Sequence, residues 1–182
     1  MPDKHAVLSP SAAGAWVRCP GYVEANRDRP DTSSAASIEG TRAHWLFEQC
    51  LRFNKHAGGF QGPHKDRHGE WSPDAEMVAQ IDKALLWLEE LVGENPVDVL
   101  QPEMKVEIGK YIGLPEGVCW GTSDLIIVSG ERVIVVDLKY GRVPVSAKGN
   151  EQLILYAAGA AGFLEDDGAG MNAEPEVEYD FL

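Results

Sequence analysis

The stretch Val133-Ile134-Val135-Val136-Asp137-Leu138-Lys139 decides the fold of this chain. Four apolar, mostly valine residues in succession predict a central β-strand. Because side chains alternate between the two faces of a strand, we expect Asp137 and Lys139 to point the same way. A carboxylate and an amine would then share one face where an apolar strand ends.

A second apolar strand is predicted just upstream, and it carries one acid. Residues 120–128 read Trp-Gly-Thr-Ser-Asp-Leu-Ile-Ile-Val, and Ser129-Gly130-Glu131 follow them. Such a short polar segment containing glycine predicts a tight turn. A tight turn makes the two strands antiparallel neighbours.

The register of this hairpin brings two acids together. If Val128 pairs with Val133, Asp124 lies opposite Asp137, with Cβ atoms roughly 4.5–5.5 Å apart. Two carboxylates at that distance repel, so one is protonated or a cation sits between them. Lys139 supplies one positive charge, and a hard divalent metal would supply the rest. The alternative is a pair of solvated strand-end acids with Lys139 as an ion-pair partner.

Two predicted helices carry polar side chains at helical spacing. Glu39-Gly40-Thr41-Arg42-Ala43-His44 begins one helix, which runs to about residue 53. Gln152-Leu153-Ile154-Leu155-Tyr156 opens a second, small and apolar helix. Because residues four apart lie on one helical face, Gln152 and Tyr156 are expected side by side.

Taken in chain order, four motifs resemble the series found in RecB-like nucleases of the PD-(D/E)XK superfamily. They are G-x-x-x-H from Gly40, G-x-x-D from Gly121, D-x-K from Asp137 and Q-x-x-x-Y from Gln152. The resemblance covers roughly residues 8–160 and is to phage and prophage members. It implies a restriction-endonuclease-like α/β core, with a mixed central sheet of about four strands flanked by helices. It also implies a metal-dependent DNA nuclease, an exonuclease rather than an endonuclease, in phage recombination, replication or DNA processing.

The resemblance implies roles for individual residues. Asp124, Asp137 and the backbone carbonyl of Leu138 would bind Mg²⁺ or Mn²⁺, with His44 as a further ligand. Asp124, Asp137 and Lys139 would be catalytic, with Lys139 acting on the attacking water and on the charge that develops at phosphorus. The residues expected to contact DNA or support the site are Glu39, Glu48, Arg142, Lys148, Gln152 and Tyr156. Ordinary packing and solvated surface charge are the alternatives for this last set.

Charge and composition narrow the classes of function. The 182 residues carry a net charge of −13, which is unusual for a DNA-binding protein. Seven of the acids lie in the tail from Ala161 onward, which has no Lys or Arg, so the rest of the chain carries −6. That balance permits DNA as a partner but argues against tight, salt-resistant binding by this chain alone. Apolar runs of strand length predict no membrane span, and three cysteines indicate a cytoplasmic protein.

Many RecB-like nucleases hold an iron–sulfur cluster on four cysteines. Cys19 stands at the place of the first ligand in that pattern. No cysteine follows Cys119, so the three closing ligands are missing. We therefore expect no iron–sulfur cluster in this protein.

The remaining elements complete the predicted organisation. Ser72-Pro73-Asp74 predicts a helix start, with a stop near Gly93. Residues 58–71 are predicted to be a mobile loop, and 104–108 a short strand. One nuclease domain is expected over residues 1–164, followed by an acidic flexible tail at 165–182. That tail has a final alternating strand, so a shortened chain is one interpretation.

Expected partners are DNA and a single-strand annealing or recombination protein, and an oligomer is compatible with the sequence. A nuclease-like DNA-binding or assembly module with weak or lost activity is the alternative function. A purely structural phage protein would require the cluster of two acids and a lysine to be accidental.

Overall fold

The computed structural model describes residues 6–27, 34–130, 132–141 and 144–166. For residues 163–166 it describes the backbone only. These residues form a mixed α/β fold. They divide into two compact units. The sheet unit comprises the described parts of residues 1–31, 96–137 and 146–181, and the helical unit comprises those of 32–95 and 138–145.

The helices of the described residues are α1 (Ala13–Trp16), α2 (Tyr22–Asn26), α3 (Ala35–Phe53), α4 (Ala75–Val92) and α5 (Glu151–Asp166). The strands are β1 (His64–Asp66), β2 (Gly69–Trp71), β3 (Val99–Glu107), β4 (Trp120–Ser129) and β5 (Arg132–Val136). Short 3-10 helices span Pro10–Ala12, Ala57–Phe60 and Gly109–Ile112. Among the helices described, none has both the length and the apolar character needed to cross a membrane.

The sheet unit is built on an antiparallel sheet in which β4 lies between β3 and β5. Val128 pairs with Val133, which confirms the predicted register of the β4–β5 hairpin. Gly130 in the turn has a φ of 58°, a left-handed conformation that glycine adopts without steric cost. Consecutive residues 125–128 of β4 are all buried, so both faces of the central strand are covered.

The sheet is simpler than the predicted mixed sheet of about four strands. Within the described residues it has three strands, all antiparallel, and the predicted final strand at 177–182 lies outside those residues. β3 starts five residues before the predicted strand at 104–108. β5 ends at Val136, so residues 137–139 follow the strand instead of extending it. Strand alternation therefore does not fix where Asp137 and Lys139 point.

Helix α5 packs closely against β3 because it presents glycine at the contact. A Cβ atom at Gly159 would lie 2.4 Å from Cγ1 of Val106 and 2.9 Å from the carbonyl oxygen of Glu107. Since both distances are far below van der Waals contact, no other residue fits there without movement. The core formed by this packing contains Val106, Ile108, Cys119, Ile126, Val133, Val135, Tyr156, Ala157 and Ala160.

The helical unit is built on α3 and α4, which contact each other. α3 begins earlier than predicted, because the Ser34 side chain accepts a hydrogen bond from the Ser37 amide and caps the helix. Glu39 therefore lies in the second turn and not at the helix start. The predicted start of α4 at Ser72-Pro73-Asp74 and its end near Gly93 are both confirmed, and Asp74 is the N-cap residue. The core of this unit contains Ala43, Leu46, Phe47, Cys50, Met77, Ile81, Ala84 and Leu88.

The predicted mobile loop at residues 58–71 was wrong, because the segment contains the antiparallel hairpin β1–β2. Its strands are short and polar, so no apolar alternation reveals them. Their packing partner is Trp45 on α3, whose ring centroid lies 4.4 Å from that of His64 and 5.5 Å from that of Trp71. Because Trp45 lies outside residues 58–71, the sequence of this segment alone does not predict the aromatic contact.

The predicted domain at residues 1–164 includes parts of both units. α5 continues to Asp166, two residues beyond the predicted boundary. Residues 167–182, which form most of the predicted tail, lie outside the described residues.

Candidate metal centre

Three acids of the sheet unit lie at or directly next to one level of the sheet. The pairing of β4 with β5 ends at Leu125 and Val136, so the predicted opposition of Asp124 and Asp137 lies one step beyond the observed ladder and stays a prediction. On the other side of β4, the flanking pairs Pro102–Leu125 and Met104–Ser123 place Glu103 of β3 opposite Asp124. A carboxylate oxygen of Glu103 lies within 4.8 Å of one from Asp124. We call Glu103, Asp124 and Asp137 the acidic rung.

The rung is largely withdrawn from water. Asp124 is buried, with 8% of its surface exposed, and Glu103 and Asp137 are half-buried. Burial weakens the screening of charges by solvent, so carboxylates this close repel more strongly than they would at the surface. Protons or a cation would relieve that repulsion.

Glu103 was not among the predicted site residues. Its backbone conformation is unusual for a residue within a strand, so a regular strand pattern does not reveal its position. It has a φ of 51°, and it interrupts the ladder between β3 and β4. A left-handed residue inside a strand is uncommon for any residue except glycine, and such outliers are enriched at functional sites. The sequence signal was Pro102, which is unusual within a strand. The connection from β3 to β4 includes a 3-10 helix, so no turn rule predicts the register.

The negative charges of the acidic rung affect the pKa of Tyr156 on α5. Burial raises the pKa of the Tyr156 phenol well above its ordinary value, and the charges of all three acids raise it further, with Asp137 the strongest of them. A hydrogen bond with Gln152 acts in the opposite direction. The phenol therefore stays protonated and donates a hydrogen bond of 2.7 Å to the carbonyl oxygen of Thr122.

The two residues of the Q-x-x-x-Y motif lie in the sheet unit, and Gln152 contacts the rung directly. Gln152 donates from Nε2 to Oδ1 of Asp137 at 2.6 Å. Tyr156 is buried beside Gly121, the glycine of the G-x-x-D motif. A Cβ atom at Gly121 would lie 2.6 Å from the Tyr156 hydroxyl oxygen and 3.0 Å from Cδ of Pro10. Glycine is therefore required for this packing. A contact of Gln152 or Tyr156 with phosphate stays a prediction.

The predicted residues of α3 belong to the helical unit. His44 is half-buried and Glu39 is exposed. Glu48 lies one turn beyond His44, and its Oε1 accepts a hydrogen bond of 2.6 Å from Nε of Arg52. The roles of these residues toward a metal ion stay predictions.

Lys139 lines a cavity in the helical unit. Leu138 is buried and Lys139 is exposed. The cavity has a volume of about 220 Å³, and its lining includes Glu39, Lys139 and Tyr140. Burial raises the pKa of the Tyr140 phenol, and the charge of Glu39 raises it further. The cavity thus places an ammonium, a carboxylate and a protonated phenol around one space.

The remaining predicted residues are less informative. Lys148 is exposed, and Arg142 lies outside the described residues. Among the cysteines, Cys19 is exposed while Cys50 and Cys119 are buried. Burial raises the pKa of the Cys50 thiol to about 12 and also raises that of Cys119, so both stay protonated near neutral pH.

A protein-family model described as "Protein of unknown function (DUF2800)" matches residues 5–166, which is most of the chain. The chain belongs to this family. The DUF2800 match includes the whole acidic rung, both residues of the Q-x-x-x-Y motif and His44. No solved structure matches the chain.

Proposed function

We propose that this DUF2800 protein is a metal-dependent DNA nuclease that hydrolyses phosphodiester bonds. The observation that supports it most is the acidic rung, in which carboxylate oxygens of Glu103 and Asp124 approach within 4.8 Å and Asp137 follows directly after the neighbouring strand. A divalent cation would offset their repulsion. Because the rung offers hard oxygen donors, Mg²⁺ or Mn²⁺ fits it.

The proposed ligand set begins with Asp124 and Asp137, and Glu103 joins them on the evidence of the register. The sequence motifs alone add His44 and the backbone carbonyl of Leu138. An imidazole ligand would shift the preference toward Mn²⁺. When bound, the divalent ion would act as a Lewis acid on phosphoryl oxygens and lower the pKa of a water molecule.

Two side chains of the protein would position the metal ligands and the attacking water. Gln152 donates to Asp137 at 2.6 Å, and hydrogen bonds of this kind orient carboxylates that bind metals. Lys139 is proposed to orient the attacking water and to stabilise the charge that builds on phosphorus. An ammonium is a compact point charge suited to this role.

Several broader statements belong to the same proposal. The core is taken to be restriction-endonuclease-like, and the activity to be that of an exonuclease in phage DNA recombination, replication or processing. A single-strand annealing or recombination protein is the proposed protein partner, and the host cytoplasm the proposed location. The motif series described above is the support for all of them.

A cleavage assay with matched variants tests the proposal. Purified protein would be incubated with linear and circular duplex DNA in Mn²⁺, in Mg²⁺ and in EDTA. We expect metal-dependent loss of the linear DNA and survival of the covalently closed circle. Asp137→Asn should abolish cleavage, and Lys139→Ala should lower it by about 10²–10³-fold. Glu116→Gln removes an exposed acid of the sheet unit and should leave cleavage unchanged.

Two outcomes would reject a nuclease. The first is metal-dependent cleavage that Asp137→Asn retains in full, which would place the activity in a contaminant or another site. The second is a parent protein that binds Mn²⁺ and DNA yet cleaves neither substrate. That second result would support the alternative of a nuclease-like DNA-binding or assembly module.

A further inference from the structure

The helical unit contains a basic segment in an otherwise acidic chain. Residues 52–68 hold four Lys or Arg residues and one acid, together with three of the five histidines of the chain. Residues 69–98, which follow directly, hold eight acids and one lysine. Because the chain carries a net charge of −13, a segment with more basic than acidic residues would be uncommon if the charges were placed at random. Two of the four Lys or Arg residues lie in the β1–β2 hairpin.

The hairpin is anchored to α3, although a two-stranded hairpin alone is only marginally stable in water. Nε of Arg42 donates a hydrogen bond of 2.8 Å to Oδ2 of Asp66 on β1. The same guanidinium lies 5.1 Å from the ring centroid of Trp71 on β2. Together with the aromatic contacts of Trp45 with His64 and Trp71, these contacts fix the hairpin to the helix.

This anchoring pairs the acid that lies between the basic residues of the tip. Asp66 is half-buried and paired with Arg42, and the guanidinium holds the pKa of that carboxyl below its ordinary value. The Asp66 side chain also accepts a hydrogen bond of 2.7 Å from the amide of His68 in the turn. Its charge is thus offset by Arg42 next to the turn of the hairpin.

The exposed side chains at the tip are mostly basic, and Glu70, which pairs with Lys65 across the hairpin, is the one exposed acid among them. Lys65, Arg67 and His68 are all exposed, and Nε of Arg67 donates a hydrogen bond of 3.0 Å to Nε2 of His68. Nε is one of five N–H donors of the guanidinium, and the Lys65 ammonium has three. We call these three residues the basic tip.

We propose that the basic tip binds the phosphate backbone of DNA, an inference that rests on the proposed nuclease function. Lys and Arg on a fixed support are the side chains that contact phosphates. Such contacts are independent of base sequence and weaken with salt. In an acidic protein, concentrating the cations on one anchored hairpin gives the DNA a local point of attachment.

A salt titration measures how much the basic tip contributes to DNA binding. Binding of the full chain to a fluorescein-labelled 20-nucleotide single strand would be followed by anisotropy, in EDTA so that no cleavage occurs. Each phosphate contact on a single strand contributes about 0.7 to the slope of log K against log salt concentration. We expect Lys65→Gln and Arg67→Gln each to lower the slope by about 0.7, and the double variant by about 1.4. Lys83→Gln, at an exposed lysine of α4, should leave the slope unchanged.

Three results would overturn the inference. One is a double variant with the slope of the parent, and another is an equal reduction by Lys83→Gln, which would reveal a general charge effect. The third is a parent dimer, detected by light scattering, that the double variant dissociates without a change in slope. The tip would then bind the acidic surface of a second copy. The assay needs no cleavage. A protein that cleaves no DNA but shows the expected slopes would therefore contradict the proposed nuclease function and support the DNA contact.

Discussion

The close approach of α5 to β3 predicts opposite effects for one substitution at two helical glycines. In Gly159→Ala the new methyl would lie 2.4 Å from Val106 and 2.9 Å from a backbone oxygen, so the helix or the strand must move. Overpacking of this kind costs typically 1–3 kcal/mol, and replacing glycine by alanine in a helix recovers up to about 1 kcal/mol. Because three atoms would lie under 3.0 Å from the new methyl, the cost falls in the upper part of that range, and we expect a net loss of about 1–2 kcal/mol. Gly40→Ala is the control, because its Cβ would meet only the Tyr140 carbonyl oxygen at 3.9 Å, an ordinary contact.

The assay is thermal unfolding of the two variants and the parent, followed by circular dichroism. For a chain of this length, 1 kcal/mol corresponds to about 2–4 °C in Tm. Gly159→Ala should therefore lower Tm by roughly 2–8 °C, and Gly40→Ala should raise it by roughly 2–4 °C. A Gly159→Ala protein as stable as the parent would show that α5 does not lie against β3 at the described distance, and the packing of Tyr156 would need revision.

Two further predictions concern Tyr156 and the cysteines. Tyr156→Phe removes the hydrogen bond to Thr122 and should cost about 1 kcal/mol, seen as a lower Tm; an unchanged Tm would contradict a role for that bond. At pH 8 without denaturant, a disulfide reagent should modify Cys19 rapidly and the buried Cys50 and Cys119 slowly, whereas three fast thiols would contradict their burial. Since burial raises the pKa of Cys50 from 9.0 to about 12, its thiol ionises first in the unfolded chain, so stability should fall as pH rises above about 9.

The β4–β5 hairpin was predictable because its determinants are local. A tight turn at Gly130 fixes the pairing of Val128 with Val133, and the ladder runs from there to Leu125 and Val136, the residues next to Asp124 and Asp137. Helix caps are local too, and the start of α4 was predicted from the three residues Ser72-Pro73-Asp74. The same rule missed Ser34, because the polar segment before it contains several equivalent cap residues.

The parts that escaped prediction depend on contacts distant in sequence. Glu103 joins the acidic rung through the β3–β4 register, which no tight turn defines. The β1–β2 hairpin depends on Trp45, about twenty residues upstream, and on an ion pair between Arg42 and Asp66. Its own strands are three residues long, too short for a periodic signal.

Calorimetric titration of the full chain with Mn²⁺ at neutral pH tests the acidic rung most directly. The parent should bind the ion, and Asp124→Asn should abolish that binding because it removes the central carboxylate. Glu103→Gln should weaken it, which distinguishes the rung from a site made of the two predicted acids alone. Glu116→Gln should bind as the parent does. A parent that takes up no Mn²⁺, or an Asp124→Asn variant that binds it with the parent's affinity, would contradict a metal centre at the rung.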